Sequence, residues 1–265
     1  MNKINSSTSS PSPAAPVLLS LVVPVYNESQ RLDLVIGALT DPIDWGIFTL
    51  HEIIFVNDGS RDNSLALLRR YKPDLSKITG APVKIITYRP NRGKGAAIRV
   101  GMLAATGDYI LMMDADMSTP MSELKRLQAP ARRHLPVVVG TRKAAYTRVE
   151  KSQPWHRQFL GHVFTWLTQL ILGSPVSDFT CGFKLFRCDV AQAVFTRARI
   201  DRWAYDSEII FLAERLGYQV REVVVRWRND DRSHVHAFRD GIRSFLDLLR
   251  IRLYFWTGRY RLRQP

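Results

Sequence analysis

Tyr109-Ile110-Leu111-Met112-Met113-Asp114-Ala115-Asp116 is a run of five mostly aliphatic residues that passes directly into two acids one residue apart. A short unbroken apolar run is what a strand covered on both faces requires. In extended chain, residues i and i+2 point the same way, so both carboxylates can face one point beyond the strand. Two acids with no nearby base suit a hard divalent cation, Mg²⁺ or Mn²⁺, which would also hold a diphosphate.

Similar runs recur on either side, at residues 18–25, 52–56, 83–88 and 137–140. Between them, residues 31–39, 62–71, 95–105 and 121–134 carry helix-type spacing, with Asp62 and Asn63 placed to cap the second. Strand alternating with helix predicts an α/β fold, a mostly parallel, Rossmann-like sheet with helices on both faces. Ligands of such sheets bind at the carboxyl ends of the strands. Those ends carry Pro24-Val25-Tyr26-Asn27-Glu28, Asn57-Asp58-Gly59-Ser60, Asn91-Arg92-Gly93-Lys94-Gly95, Asp114-Ala115-Asp116 and Thr141-Arg142. Every one is polar, glycine-rich or charged.

Gly93-Lys94-Gly95 opens a helix, where bare backbone amides and the helix dipole favour phosphate. The spacing is not that of a Walker A loop. A dinucleotide fingerprint would need glycine where Ile98 stands and would follow the first strand rather than the third, which argues against an oxidoreductase. Asp58 and Glu28 are placed to accept from a ribose or a base edge, or, as bland alternatives, to satisfy free helix amides.

The second half predicts a long apolar helix at 155–172, a loop and strand at 178–186, a helix at 206–216 and a strand at 219–227. From 237 to 260 the pattern is amphipathic. Phe238, Ile242, Phe245, Leu246, Leu249 and Leu253 fall on one side, and Arg239, Arg243, Asp247 and Arg250 on another. The expected organisation is a disordered Ser/Pro-rich tail (1–16), a catalytic domain (17–235) and a basic amphipathic C-terminal helix and tail (236–265).

Composition is globular, with 46% hydrophobic residues in a chain of 265. Lys and Arg outnumber Asp and Glu by 38 to 24, a net charge of +14, which demands an anionic partner. A nucleic-acid-binding protein is the rival that charge alone supports. It would interleave basic and stacking aromatic residues on one surface, whereas the motif residues here gather at strand ends, so no nucleic acid is expected. Cys181 and Cys188 fit neither a redox pair nor a zinc site, and His234 and His236 lack the neighbours a metal needs. No stretch reaches the ~18–20 uncharged residues of a membrane span. A catalytic domain on the cytoplasmic side is expected, soluble or peripheral on the inner face of the membrane.

Taken in order, V-P-V-Y-N-E, N-D-G-S, N-R-G-K-G and D-A-D resemble the family 2 inverting glycosyltransferases with the GT-A fold. The stretch Asp178 to Phe186, the run Arg202-Trp-Ala-Tyr-Asp206 with Glu208, and the closing Arg/Leu-rich helix are similar to the members of that family that act on dolichyl or other polyprenyl phosphates, dolichyl-phosphate β-glucosyltransferases above all. The resemblance implies a nucleotide-sugar donor, UDP-glucose, and a polyprenyl-phosphate acceptor at an anionic membrane surface. GDP-mannose or a soluble saccharide acceptor is the alternative within the fold. It further implies Asp114 and Asp116 as metal ligands. Pro24, Tyr26, Glu28, Asp58, Gly59, Ser60, Gly93, Lys94, Asp114 and Arg142 would form the donor side, and Asp178, Arg202 and Asp206 the catalytic group. Arg142 and Arg202 are the candidates for the acceptor phosphate. Asp178, standing where the family has a base-like acid, would orient sugar or acceptor.

Overall fold

The computed structural model describes residues 16–142, 149–151, 155–228 and 237–262. The first fifteen residues, His234, His236 and Arg263 lie outside them, as do the side chains of Phe238 and Arg239. Seven strands form one sheet: β1 (Val17–Val25), β2 (Phe48–Asn57), β3 (Val83–Thr87), β4 (Tyr109–Met113), β5 (Val137–Thr141), β7 (Phe183–Arg187) and β8 (Val220–Val224). Their order is β3-β2-β1-β4-β7-β5-β8. All neighbours pair in parallel except at β7, which lies antiparallel between β4 and β5. The expected mostly parallel sheet is therefore present. Two short strands, β6 (Val149–Lys151) and β9 (Trp227–Arg228), form a second small sheet.

Alternation of side chains along the strands separates two cores. From β4, Tyr109, Leu111 and Met113 meet α1 (Leu32–Thr40), α2 (Ser64–Thr79) and α4 (Leu124–Arg132) on one face. Ile110 and Met112 meet α3 (Lys94–Ala104), α6 (Cys188–Phe195) and α7 (Tyr205–Arg215) on the other. Close approach is needed there: a Cβ on Gly101 of α3 would stand 2.4 Å from Val22 Cγ1. At the amino end of the sheet, buried Glu52 accepts from Ser20 Oγ, Thr106 N and Thr106 Oγ1 and pairs with Lys84. Burial would raise its carboxyl, but the bonds from Lys84, Ser20 and Thr106 prevail and bring it down to about 2. That edge is tied shut, so open polar groups are found at the other.

Two long helices close the molecule, α5 (Trp155–Leu172) and α8 (Ala237–Trp256), packed against each other. The face α8 turns inward is narrow: Ser244, Asp247, Leu248 and Ile251 are buried. Asp247, expected on the polar outer side, is thus on the inner one, where it pairs with Arg250. The apolar side is the one exposed. Ile242, Leu246, Leu249 and Leu253 are each about half accessible, and Trp256 is 69% accessible. On α5, Leu160, Val163, Trp166 and Leu170 recur at spacings of three and four and are likewise exposed.

Candidate active site

The site is assembled from the carboxyl ends of β1, β2, β4 and β5, the start of α3, and two later segments that fold over them. After β1 the chain turns through Asn27, whose φ of +55° is left-handed, and the loop is tied to the β2 end. Ser60 Oγ accepts from Asn27 N, Ser64 Oγ from Glu28 N, and Asn27 Oδ1 from Arg61 N. Asp62 accepts from Ser29 N and from Ser64 N, so it bridges two loops rather than filling the cap position. That position falls to Asn63, whose side chain makes no capping bond. Pro24 is buried near the carboxyl end of β1, opposite Val56. Tyr26 is exposed beyond it.

Asp58 is buried and fully engaged. Its carboxylate accepts from Asn91 Nδ2 at 2.6 Å, Arg92 N at 2.8 Å and Gly93 N at 2.8 Å. It shapes the Asn91–Gly95 loop instead of standing free for a ribose. Gly59, at φ +70°, lies under that loop, where a Cβ would come within 2.9 Å of Asn91 N. Gly93 is needed because a Cβ there would be 2.5 Å from the carbonyl of Asp201. The 201–202 segment therefore rests directly on the start of α3, with Asp201 O accepting from Ala96 N and the exposed Arg202 over Gly93.

Lys94 reaches from α3 to Asp114, Nζ to Oδ1 2.7 Å. Burial disfavours its charge, but Asp114, then Asp206 and Asp116, more than compensate and raise its pKa. Asp116 accepts from Ser118 N, and burial followed by the charge of Asp114 pushes its carboxyl up. Glu28 faces the same point. Burial raises it first, its Arg31 partner opposes, and Asp116 and Asp114 add to the rise. Gly182 cradles Asp114, since a Cβ there would occupy the carboxylate position, 2.1 Å from Oδ2. Two crowded acids whose charges oppose one another, held rigidly at the open sheet edge, fit a divalent cation. Among the described residues no cluster of three His, Cys, Asp or Glu side chains surrounds them. Oxygens of a diphosphate and water would complete its shell.

Asp178 and Arg142 form one unit. The Asp178 carboxylate is buried and accepts from Arg142 N, Nε and Nη2 at 2.8–3.0 Å, while Thr180 Oγ1 takes a further bond from Nη2. The guanidinium stacks over Trp227 of β9, 5.2 Å from the ring centroid. Burial works against the Arg142 charge and Asp178 outweighs it, raising the pKa. Asp178 thus orients Arg142 and has no free face for sugar or acceptor.

Asp206 opens α7 and is buried against Lys184, which donates to it and to Cys181 O at 2.6 Å. Burial raises the Asp206 carboxyl, and Lys184 and then Lys94 oppose that rise. The alternating series Lys184, Asp206, Lys94, Asp114 runs from the sheet interior to the open edge. Sequence reasoning missed Lys184, Asn91, Thr180 and Trp227. A lysine among Phe183, Leu185 and Phe186 is itself a signal, because such a residue in a covered strand is almost never buried unpaired.

With this geometry in view, comparison with known proteins is specific. The sequence matches the family described as Glycosyl transferase family 2 over residues 20–195. It is 34% identical over 256 residues to a dolichyl-phosphate beta-glucosyltransferase of Drosophila melanogaster, covering 92% of this chain and 77% of the relative. The human protein of that name is 31% identical, covering 93% of this chain and 78% of the relative. The fold resembles the Mycobacterium tuberculosis glucosyl-3-phosphoglycerate synthase in complex with Mn²⁺, uridine diphosphate and glucosyl-3-phosphoglycerate. There the TM-score is 0.60 at 19% identity, over 89% of this chain and 80% of that one.

Proposed function

Because the chain belongs to glycosyl transferase family 2, we propose that this hexosyltransferase moves glucose from UDP-glucose onto dolichyl phosphate or a related polyprenyl phosphate, with inversion at the anomeric carbon. The observation that carries this reading is the likeness to dolichyl-phosphate beta-glucosyltransferases over more than nine-tenths of the chain, a span that takes in the strand-end site and the helices beyond it. Asp114 and Asp116 would hold Mg²⁺ or Mn²⁺. When bound, the ion supplies Lewis-acid stabilisation to the departing diphosphate.

The remaining work falls to the chain itself. A lipid phosphate is already ionised near neutral pH, so its oxygen needs no strong base to attack. The difficulty is to hold two anions close together, which calls for fixed cations. Lys94, locked between acids, serves the donor side. Arg142, gripped by Asp178, and Arg202, exposed on the loop over Gly93, face the acceptor phosphate. Asp178 and Asp206 act as positioning residues for these cations. Uridine, glucose and dolichyl phosphate are tested together by supplying labelled UDP-glucose and GDP-mannose in parallel, with polyprenyl phosphate or a soluble saccharide as acceptor. Label in lipid from UDP-glucose alone is expected. Label only from GDP-mannose, or only in the saccharide, would select the alternative chemistry.

The acceptor also explains the outward apolar faces. We place the protein on the cytoplasmic face of a membrane, in keeping with Cys181 and Cys188 being unpaired, with residues 17–235 as transferase domain and 236–265 as surface segment. No helix among the described residues is long and apolar enough to cross a bilayer. An apolar stripe flanked by arginines, as on α8 with Arg243 and Arg250, suits the interface of an anionic membrane. Replacing Leu249 and Leu253 with Asp should cut sedimentation with anionic vesicles by at least about tenfold while leaving transfer to a detergent-dispersed acceptor intact. Unchanged sedimentation would make the stripe incidental.

A further inference from the structure

Beyond α8 the chain doubles back through two left-handed residues, Gly258 (φ +67°) and Arg261 (φ +49°). It thereby borders an open cavity of about 250 Å³ against the α6–α7 connection, lined by Thr196, Arg197, Arg199, Arg259, Tyr260 and Arg261. Four of the six are arginines, and no carboxylate is among them.

Arg99, Arg142 and Arg226 are neutralised, by Asp201 at 2.5 Å, Asp178 at 2.8 Å and Glu123 at 2.6 Å, whereas Arg215 and Arg252 are held against aromatic rings. Among the described residues none of the four cavity arginines has an ion-pair partner. They are held by uncharged groups instead. Arg197 Nη1 donates to Ala193 O, Arg199 Nε and Nη2 both donate to Arg259 O, and Arg259 stacks over Tyr254, 5.0 Å from its centroid. Arg197 Nε is buried with no hydrogen-bond acceptor. The backbone at Arg261 lies in a region that non-glycine residues rarely enter. Glu208, the acid beneath the cavity, is spent on its walls: it accepts from Arg199 N, Ile200 N and Tyr260 Oη. Arg199 therefore ties the two sides together, and among the described residues no carboxylate forms an ion pair with any of the four arginines.

We propose that this cavity binds a phosphate group at a site separate from the transfer site. Guanidinium groups in such an array match phosphate oxygens by paired, charge-assisted hydrogen bonds. The ligand we favour is the phosphodiester headgroup of an anionic lipid, because the cavity follows directly on exposed Leu253 and Trp256 at the end of the apolar stripe. That choice of source rests on the membrane-facing reading of α8; the phosphate chemistry does not. The site has a short route to the transfer site, since the segment from Arg199 to Arg202 joins the cavity wall to the loop resting on Gly93.

The experiment compares wild type, Arg197→Gln/Arg261→Gln, the single Arg261→Gln, and a charge-matched control at exposed residues of α2, Arg69→Gln/Arg70→Gln. Each is measured with UDP present, to occupy the donor site, for the rise in Tm on adding inorganic phosphate. Each is then measured for partition onto phosphatidylcholine vesicles with and without phosphatidylglycerol. The cavity variants should show a smaller phosphate-induced rise than wild type, the remainder coming from the acceptor side at Arg142 and Arg202, and lose about thirtyfold in binding to anionic vesicles for two arginines, with the control nearly unchanged. A smaller phosphate response with undiminished vesicle binding would keep the site and make its ligand a soluble phosphate. If the cavity variants respond to phosphate as wild type does, or if the control loses as much as they do, the proposal is overturned. Transfer of glucose to a detergent-dispersed acceptor should be the same in all four proteins, so failure here is distinguishable from failure of the proposed function.

Discussion

Asp114→Asn is expected to lower turnover by about a thousandfold while leaving the protein folded. Asparagine has the shape of the aspartate, so the space that Gly182 leaves for the side chain remains filled and β4 is not disturbed. What is lost is charge. One of the two acids offered to a divalent ion becomes neutral, and Lys94, 2.7 Å from Oδ1, loses its partner at the mouth of the site. Asp116→Asn should act in the same direction, because the crowding that raises the Asp116 carboxyl comes after burial from Asp114 itself. Titrating Mn²⁺ into each variant with UDP present separates the possible causes. Weakened Mn²⁺ binding together with lost turnover supports the pair as ligands. Wild-type Mn²⁺ binding in a dead variant would mean that Asp114 acts through Lys94 instead.

Lys184→Ala carries the largest expected effect on stability, about 3–5 kcal/mol. The ammonium is buried between Asp206 and the carbonyl of Cys181, so removing it strands a carboxylate without a counter-charge. Replacing both partners, as Lys184→Met/Asp206→Leu, should restore most of the stability, since neither charge is then left buried alone. Turnover should not return with it, because Lys94 is held between Asp114 and Asp206 and would lose one of the two charges that fix it. Denaturant midpoints read the first effect, and kcat at saturating donor the second. A double variant that is both stable and active would show the pair to be purely structural.

How much of this was legible in the sequence follows from what each signal can carry. The apolar run 109–113 is β4 residue for residue, because it has a strand's length and is bounded by Gly107-Asp108 and Asp114. The second strand begins four residues before its apolar run, at Phe48, since Phe48 to His51 mixes exposed and buried positions. The second helix continues through Pro73 to Thr79, past the point where its pattern stops. The antiparallel placement of β7 could not be read, because local periodicity is silent about which distant strands pair. The short α6 was missed for lack of length.

Within the site, the strand ends named the right loops but not which side chains stay free. Asp58 and Asp178 look like ligand acids in sequence, and each is consumed by its own neighbours. Lys94, Asp114 and Asp116 do meet at one point. On α8 the two faces were distinguishable, but hydrophobicity suggested the wrong one for Asp247: the helix packs on Ser244, Asp247, Leu248 and Ile251 and turns its broad apolar stripe outward.

The central claim is that the acid pair at the end of β4 supports glucosyl transfer to a lipid phosphate. It is tested most directly by incubating the purified chain with radiolabelled UDP-glucose and a short polyprenyl phosphate, then counting label that partitions into organic solvent. The predicted result is a labelled lipid that forms with Mg²⁺ or Mn²⁺ and not with excess chelator. Label that appears equally with chelator present, or no lipid product while UDP still binds, would contradict it.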